Sequence, residues 1–170
     1  MLFRSTSDLT TLGNGTINVS ATATDAAGNA STAVPTSFTL DTLAPTAPVL
    51  TLGTTVSGGA TSAEATQAGG VVTVTGESGA SIVVTFTGSA GTVTKPAVTG
   101  TGASQAVVLI SADLTTLGNG TINVSATATD AAGNASLAGT TSFTLDTVAP
   151  TAPALALGAG VSGGATSAEA

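Results

Sequence analysis

The sequence predicts an all-β protein, a Greek-key β-sandwich repeated in tandem. Three observations carry that prediction: short runs that alternate apolar and polar residues, turns rich in Gly, Ser and Asn between them, and a long internal repeat. Taken in chain order, Leu50 and Leu52 mark a first strand, because a later copy keeps them as Leu155 and Leu157 while the alternating positions change. Val71 to Thr75 follows as a strand, then Ser81 to Thr87, whose Ile82, Val84 and Phe86 point one way. Gln105 to Ile110 is a further strand. Alternation is clearest from Thr121 to Thr129, where Ile122, Val124, Ala126 and Ala128 face in and Thr, Asn and Ser face out. Thr141 to Asp146 repeats the pattern with Phe143 and Leu145. Glu77-Ser78-Gly79 and Gly118-Asn119-Gly120 supply turns, and no segment shows helical periodicity.

The repeat sets the organisation. Asp8 to Ser31 recurs letter for letter at Asp113 to Ser136, an offset of 113 − 8 = 105. The same offset carries 36–42 onto 141–147 and 56–65 onto 161–170. A period of this length is too long for a solenoid coil and suits a sandwich domain. The Pro-containing stretch 41–48, repeated at 146–153, marks the boundary, since two prolines three apart hold a chain extended and remove ladder donors. Residues 1–41 are therefore expected to be the C-terminal part of a first unit and 42–48 a linker. A complete unit is expected over 45–146, with the first strand of a third over 150–170.

Composition removes most kinds of chemistry. The 170 residues contain no His, Cys, Trp or Tyr, and one cation of each type, Arg4 and Lys95. Without imidazole or thiolate, the usual general base, nucleophile and zinc ligands are missing, so an enzyme is not expected. A net charge of −7 supplies no cationic surface for nucleic acid. No apolar run reaches the roughly 18 residues that a membrane helix needs, and Met1 to Ser7 does not read as a signal peptide. Absence of disulfides does not argue against export, because a unit of this size can bury enough core without them. The Val/Ala/Leu-rich core predicts modest stability, near the low end of about 5–15 kcal/mol. The sequons at Asn14, Asn18 and Asn29 read as chance in a Thr/Ser-rich chain, and Gly69-Gly70 and Gly163-Gly164 read as turns, since no Lys follows to make a phosphate loop.

The stretch GNGTINVSATATDAAGNAS followed by FTLDTLAPTAP resembles the bacterial Ig-like repeats of very large, type I-secreted biofilm adhesins. The resemblance spans essentially the whole chain. It implies an Ig-like fold, a place outside the cell or on its surface, and a role as a stalk unit that projects an adhesive tip. It also implies calcium at domain junctions. Many such repeats carry Tyr where this chain has Ile122, so a tyrosine corner is absent and Leu114 and Leu117 are expected to close that end of the core by packing.

Placed on Ig-like topology, every acidic residue of the complete unit falls at one end or the other. At the first junction the candidate calcium ligands are Asp41, Asp130, Asn134, Asp8 and Glu77. At the second they are Asp146, Asp113 and Glu64, an incomplete set. Clustered carboxylates repel unless a cation is present, which is the physical argument for Ca2+. Asp130 to Asn134 (DAAGN) is also a good turn, because Asp accepts backbone bonds and Gly and Asn tolerate positive φ. The bonds expected outside the unit are to neighbouring repeats, with no nucleic acid, membrane or small-molecule substrate. The competing function is a non-catalytic ligand-binding module of a secreted multidomain protein. Against it stand the aromatics: Phe3, Phe38, Phe86 and Phe143 are the only ones, and most read as core.

Overall fold

A computed structural model of the chain describes residues 6–56, 58–157, 161, 164 and 167. It is mostly β, with every strand pair antiparallel. The elements run α1 (Thr6–Leu12), β1 (Gly15–Ala21), β2 (Val34–Leu40), β3 (Val49–Leu52), α2 (Ser62–Ala65), β4 (Val72–Thr75), β5 (Ser81–Thr87), β6 (Thr92–Thr94), β7 (Val98–Thr99), β8 (Gln105–Val107), α3 (Ser111–Leu117), β9 (Gly120–Thr129) and β10 (Gly139–Leu145).

Residues 49–145 form two sheets around one core. One sheet has the order β3-β4-β8; the other has β10-β9-β5-β6, with β7 also pairing with β5. The alternation in the sequence becomes burial. Ile82, Val84 and Phe86 of β5 and Ile122, Val124, Ala126 and Ala128 of β9 meet Val72 and Val74 of β4, with Leu109, Leu114 and Leu117 closing one end. Each fully buried Val, Leu, Ile or Phe contributes about 1.5–3 kcal/mol relative to exposure. Leu50, Leu52 and Val93 pack against this core while partly exposed.

The short helices correct the expectation that nothing is helical. Each is a turn or two, too short for a 3.6-residue period to show. Thr61 and Glu64 start α2 with a capping box, each side chain bonding the other's backbone N–H. In α3 the Asp113 carboxylate accepts the Ile110 N–H at 2.9 Å, and Leu114 and Leu117, one turn apart, are buried as expected. The expected strand over 105–110 ends at Val107, because Ile110 turns outward to begin α3.

Residues 6–40 repeat α3, β9 and β10 without the strands that cover them. In β1–β2 the register runs from Gly15↔Leu40 to Ala21↔Val34, and in β9–β10 from Gly120↔Leu145 to Ala126↔Gly139. Each pair in one hairpin lies 105 residues from its counterpart. Yet β1–β2 forms a sheet of its own, and its inward-type residues Val19 and Phe38 are exposed. At the other end, residues 150–157 carry no regular secondary structure, and Leu155 and Leu157 are exposed, so the described part of 150–170 is not a strand. The remainder of that stretch and Phe3 lie outside the described residues.

Candidate functional site

Register fixes which loops share an end of the sandwich. Ser81 pairs with Thr129, so the turn before β5 and the loop after β9 lie together, and Val49↔Thr75 brings the linker 42–48 to the same end. At the opposite end Leu145 pairs with Gly120, and a parallel bridge from Ala60 to Leu145 brings in α2 beside α3. The acidic residues thus divide as expected. Glu77 and Asp130 stand at the linker end; Glu64, Asp113 and Asp146 stand at the other.

At the linker end the DAAGN loop is a closed hydrogen-bonded unit. Asp130 Oδ1 accepts the backbone N–H of Ala132 at 2.9 Å and of Asn134 at 2.8 Å. Its Oδ2 accepts the Asn134 side-chain amide at 2.9 Å. Hydrogen bonds from the Asn134 side chain and from the loop N–H groups act on the acidity of Asp130. The side-chain bond from Asn134 leads, partial desolvation opposes it, and the net effect holds the carboxyl below the usual range. Asn134 Nδ2 reaches further, to the backbone carbonyl of Asp41 at 3.2 Å, and so ties this loop to the start of the linker. Glu77 Oε2 accepts the Thr46 N–H at 3.3 Å. Pro45 and Pro48 are buried, so the linker lies against the sandwich rather than hanging free. Asp41 Oδ1 accepts the Leu43 N–H at 3.0 Å, and Asp8 sits exposed in the first turn of α1.

The structure brings Asp41, Asp130, Asn134 and Glu77 to one junction, where the three carboxylates accept N–H donors and the Asn134 side chain is itself a donor through Nδ2. Among the described residues no group of three acidic side chains lies close enough to hold a metal ion. The Asp41 carbonyl faces the amide nitrogen of Asn134, Asp130 Oδ1 accepts two N–H donors and Asp130 Oδ2 accepts one.

At the opposite end each carboxylate has an internal task. Glu64 Oε2 accepts the Thr61 N–H at 2.9 Å and the Thr61 hydroxyl at 2.8 Å, and these bonds lower its pKa. Asp113 Oδ2 takes the Lys95 ammonium at 2.9 Å. Burial pushes this carboxyl up, but the Lys95 hydrogen bond, the Ile110 N–H and the Lys95 charge outweigh it and leave the pKa lowered. Asp146 Oδ1 accepts the Val148 N–H at 3.0 Å. Asn119 Oδ1 binds both the N–H and the hydroxyl of Thr147, at 3.1 and 2.9 Å, and Asn14 holds Thr42 in the same way. Reading the sequence missed Lys95 and the two asparagines. The signals were present: Lys95 is the single lysine, and each Asn–Thr pair recurs at the repeat offset.

No family model matches the chain, and no curated protein matches it. Among solved structures, it is similar to one described as the crystal structure of a tetra-tandem repeat in the extending region of a large adhesion protein. The identity is 27% and the TM-score 0.46, over 80% of this chain and 33% of that one, so this chain spans about a third of its length. Among the described residues no helix is long and apolar enough to cross a membrane.

Proposed function

We propose that this chain is a non-catalytic spacer repeat from the stalk of an extracellular or cell-surface adhesin, built of Ig-like Greek-key units with boundaries at 1–41, 45–146 and 150–170. One observation carries the reading: hairpin, loop and linker tether recur at an offset of 105 residues, bond for bond. The Asp25–Asn29 loop matches Asp130–Asn134, and Asn14–Thr42 matches Asn119–Thr147. A unit copied together with the contacts that fix its exit strand adds length in constant steps, which is a spacer's task. The two sheet orders, β3-β4-β8 and β10-β9-β5-β6, support an Ig-like assignment, with strands A, B and E opposite G, F, C and C′.

Calcium enters this reading as a ligand that the junction takes up only by rearranging. Asn134 has to turn its amide oxygen toward Asp41, which at the same time frees Asp130 Oδ2 from the Asn134 amide. The experiment is small-angle scattering on one, two and three joined copies of the 105-residue repeat, with millimolar calcium and then with EDTA. The expected result is a maximum dimension that grows by the same increment per copy. Collapse into a compact particle overturns the spacer reading. A calcium-dependent rise in thermal midpoint that disappears with Asp41→Asn and Asp130→Asn supports the cation. A midpoint unchanged by calcium removes the cation and leaves the spacer.

A further inference from the structure

Two hairpins of nearly the same sequence stand in this chain, and the strands of residues 49–110 offer one surface for such a hairpin. β9–β10 occupies it, and β1–β2 does not. Over the matched strands the two hairpins differ at the start of the last strand: the offset of 105 places Val34 on Gly139 and Pro35 on Thr140. Gly139 sits where β10 comes against the start of β3, and a Cβ added there would fall on the carbonyl oxygen of Pro48. Pro48 is itself buried, so the linker has little room to withdraw. Val34, by contrast, is exposed and meets nothing equivalent.

We propose that Gly139 is a specificity determinant: its bare backbone admits β9–β10 beside Pro48, and the valine at the same place in β1–β2 excludes that hairpin from the same surface. The inference rests on the tandem-repeat reading. Its functional content is that near-identical neighbours are kept from exchanging strands, a characteristic hazard of repeat proteins. The surface that β1–β2 fits is a second set of strands like 49–110 with space for a valine where Pro48 here closes in. Overpacking against backbone of this kind corresponds to a ~10- to 100-fold preference for the resident hairpin. Pro35 is a lesser obstacle, because its strand is an edge strand, where a missing N–H is tolerated.

The absence of cysteine makes the test direct. In the full chain, Thr85→Cys with Ser125→Cys reports the resident pairing, since Thr85 faces Ser125. Thr85→Cys with Ser20→Cys reports replacement by β1, because Ser20 is the counterpart of Ser125. Each pair is refolded from denaturant at high protein concentration, oxidised, and scored for intrachain and interchain disulfide. In the native background the 85–125 disulfide is expected to dominate by at least tenfold. Adding Val34→Gly and Pro35→Thr, both outside the sandwich, is expected to raise the 85–20 disulfide about tenfold, much of it between chains. Pro35→Thr alone is expected to leave it low. An 85–20 yield unmoved by Val34→Gly, or raised as far by Pro35→Thr alone, overturns the proposal. Failure of the 85–125 disulfide in the native background overturns the β5–β9 pairing itself, and with it the repeat architecture.

Discussion

Phe38 and Phe143 stand at the same point of two hairpins with the same register, Phe38 opposite Ile17 and Phe143 opposite Ile122, yet Phe38 is 50% exposed and Phe143 only 5%. Local sequence and hairpin register are matched, so the difference measures what the rest of the sandwich, β5 and the second sheet together, contributes. Phe143→Ala is expected to destabilise the chain by about 3–4 kcal/mol, the usual cost of emptying a buried aromatic site. Phe38→Ala is expected to change stability by less than about 0.5 kcal/mol. Urea denaturation of the full chain compares the two. Equal losses would mean that β1–β2 is covered in solution.

Acid should weaken the sandwich through its end-of-sheet carboxylates. Glu64, Asp113 and Asp130 all titrate below their ordinary values in the folded state. The unfolded chain, with carboxyls near 3.9 for Asp and 4.3 for Glu, therefore takes up protons first. Stability is full above about pH 5 and falls as pH drops through the lower folded values. Urea midpoints measured from pH 7 to pH 3 should show this fall. In Asp113→Asn the fall should be shallower, and stability at pH 7 lower by about 1–2 kcal/mol, since the Lys95 pair and the α3 cap are both weakened.

Asn134→Ala should loosen the linker more than it loosens the core. The variant loses the bond to the Asp41 carbonyl and the side-chain tie to Asp130, while the β9–β10 ladder is untouched. Leu43, exposed in the linker, then becomes an easier target for a protease that cuts before leucine. Limited proteolysis with thermolysin should show several-fold faster cleavage at the linker with little change in cleavage within 49–145. An unchanged linker rate would show that Pro45 and Pro48 hold it without the asparagine.

Gln105 carries the one buried side-chain polar atom without a hydrogen-bond partner among the described residues, its Oε1. Gln105→Met keeps the length and removes the unmet acceptor. Stability should hold or rise by up to about 1 kcal/mol, because an unsatisfied buried acceptor costs free energy that its removal restores. A clear loss in a denaturant titration would show that Oε1 is hydrated.

The strands that alternate over seven residues or more were legible in the sequence, down to the inward set Ile82, Val84, Phe86, Ile122, Val124, Ala126 and Ala128. Period 2 over that length has no competing interpretation. β6 and β7 were not legible, because two or three residues of Thr and Val define no period and form only by pairing with β5. α2 and α3 had a readable sign that periodicity overlooks: Thr61-x-x-Glu64 is a capping box, and Asp113 sits at the matching third position of α3. The ends at which the acidic residues gather followed from topology. Their hydrogen bonds did not, because whether Asn134 presents oxygen or nitrogen to Asp41 depends on a backbone carbonyl 93 residues away.

Confining charge to the ends of the sandwich makes it electrically a neutral rod with negative tips. β9, ten residues long, spans roughly 33 Å. That is several times the screening length of about 8 Å at physiological salt, so the two tips do not sense each other. Across the linker the contact is uncharged, the Asn134 amide on the Asp41 carbonyl at 3.2 Å. Salt is therefore expected to act on each tip separately and to leave the Thr- and Ser-covered strands between them untouched.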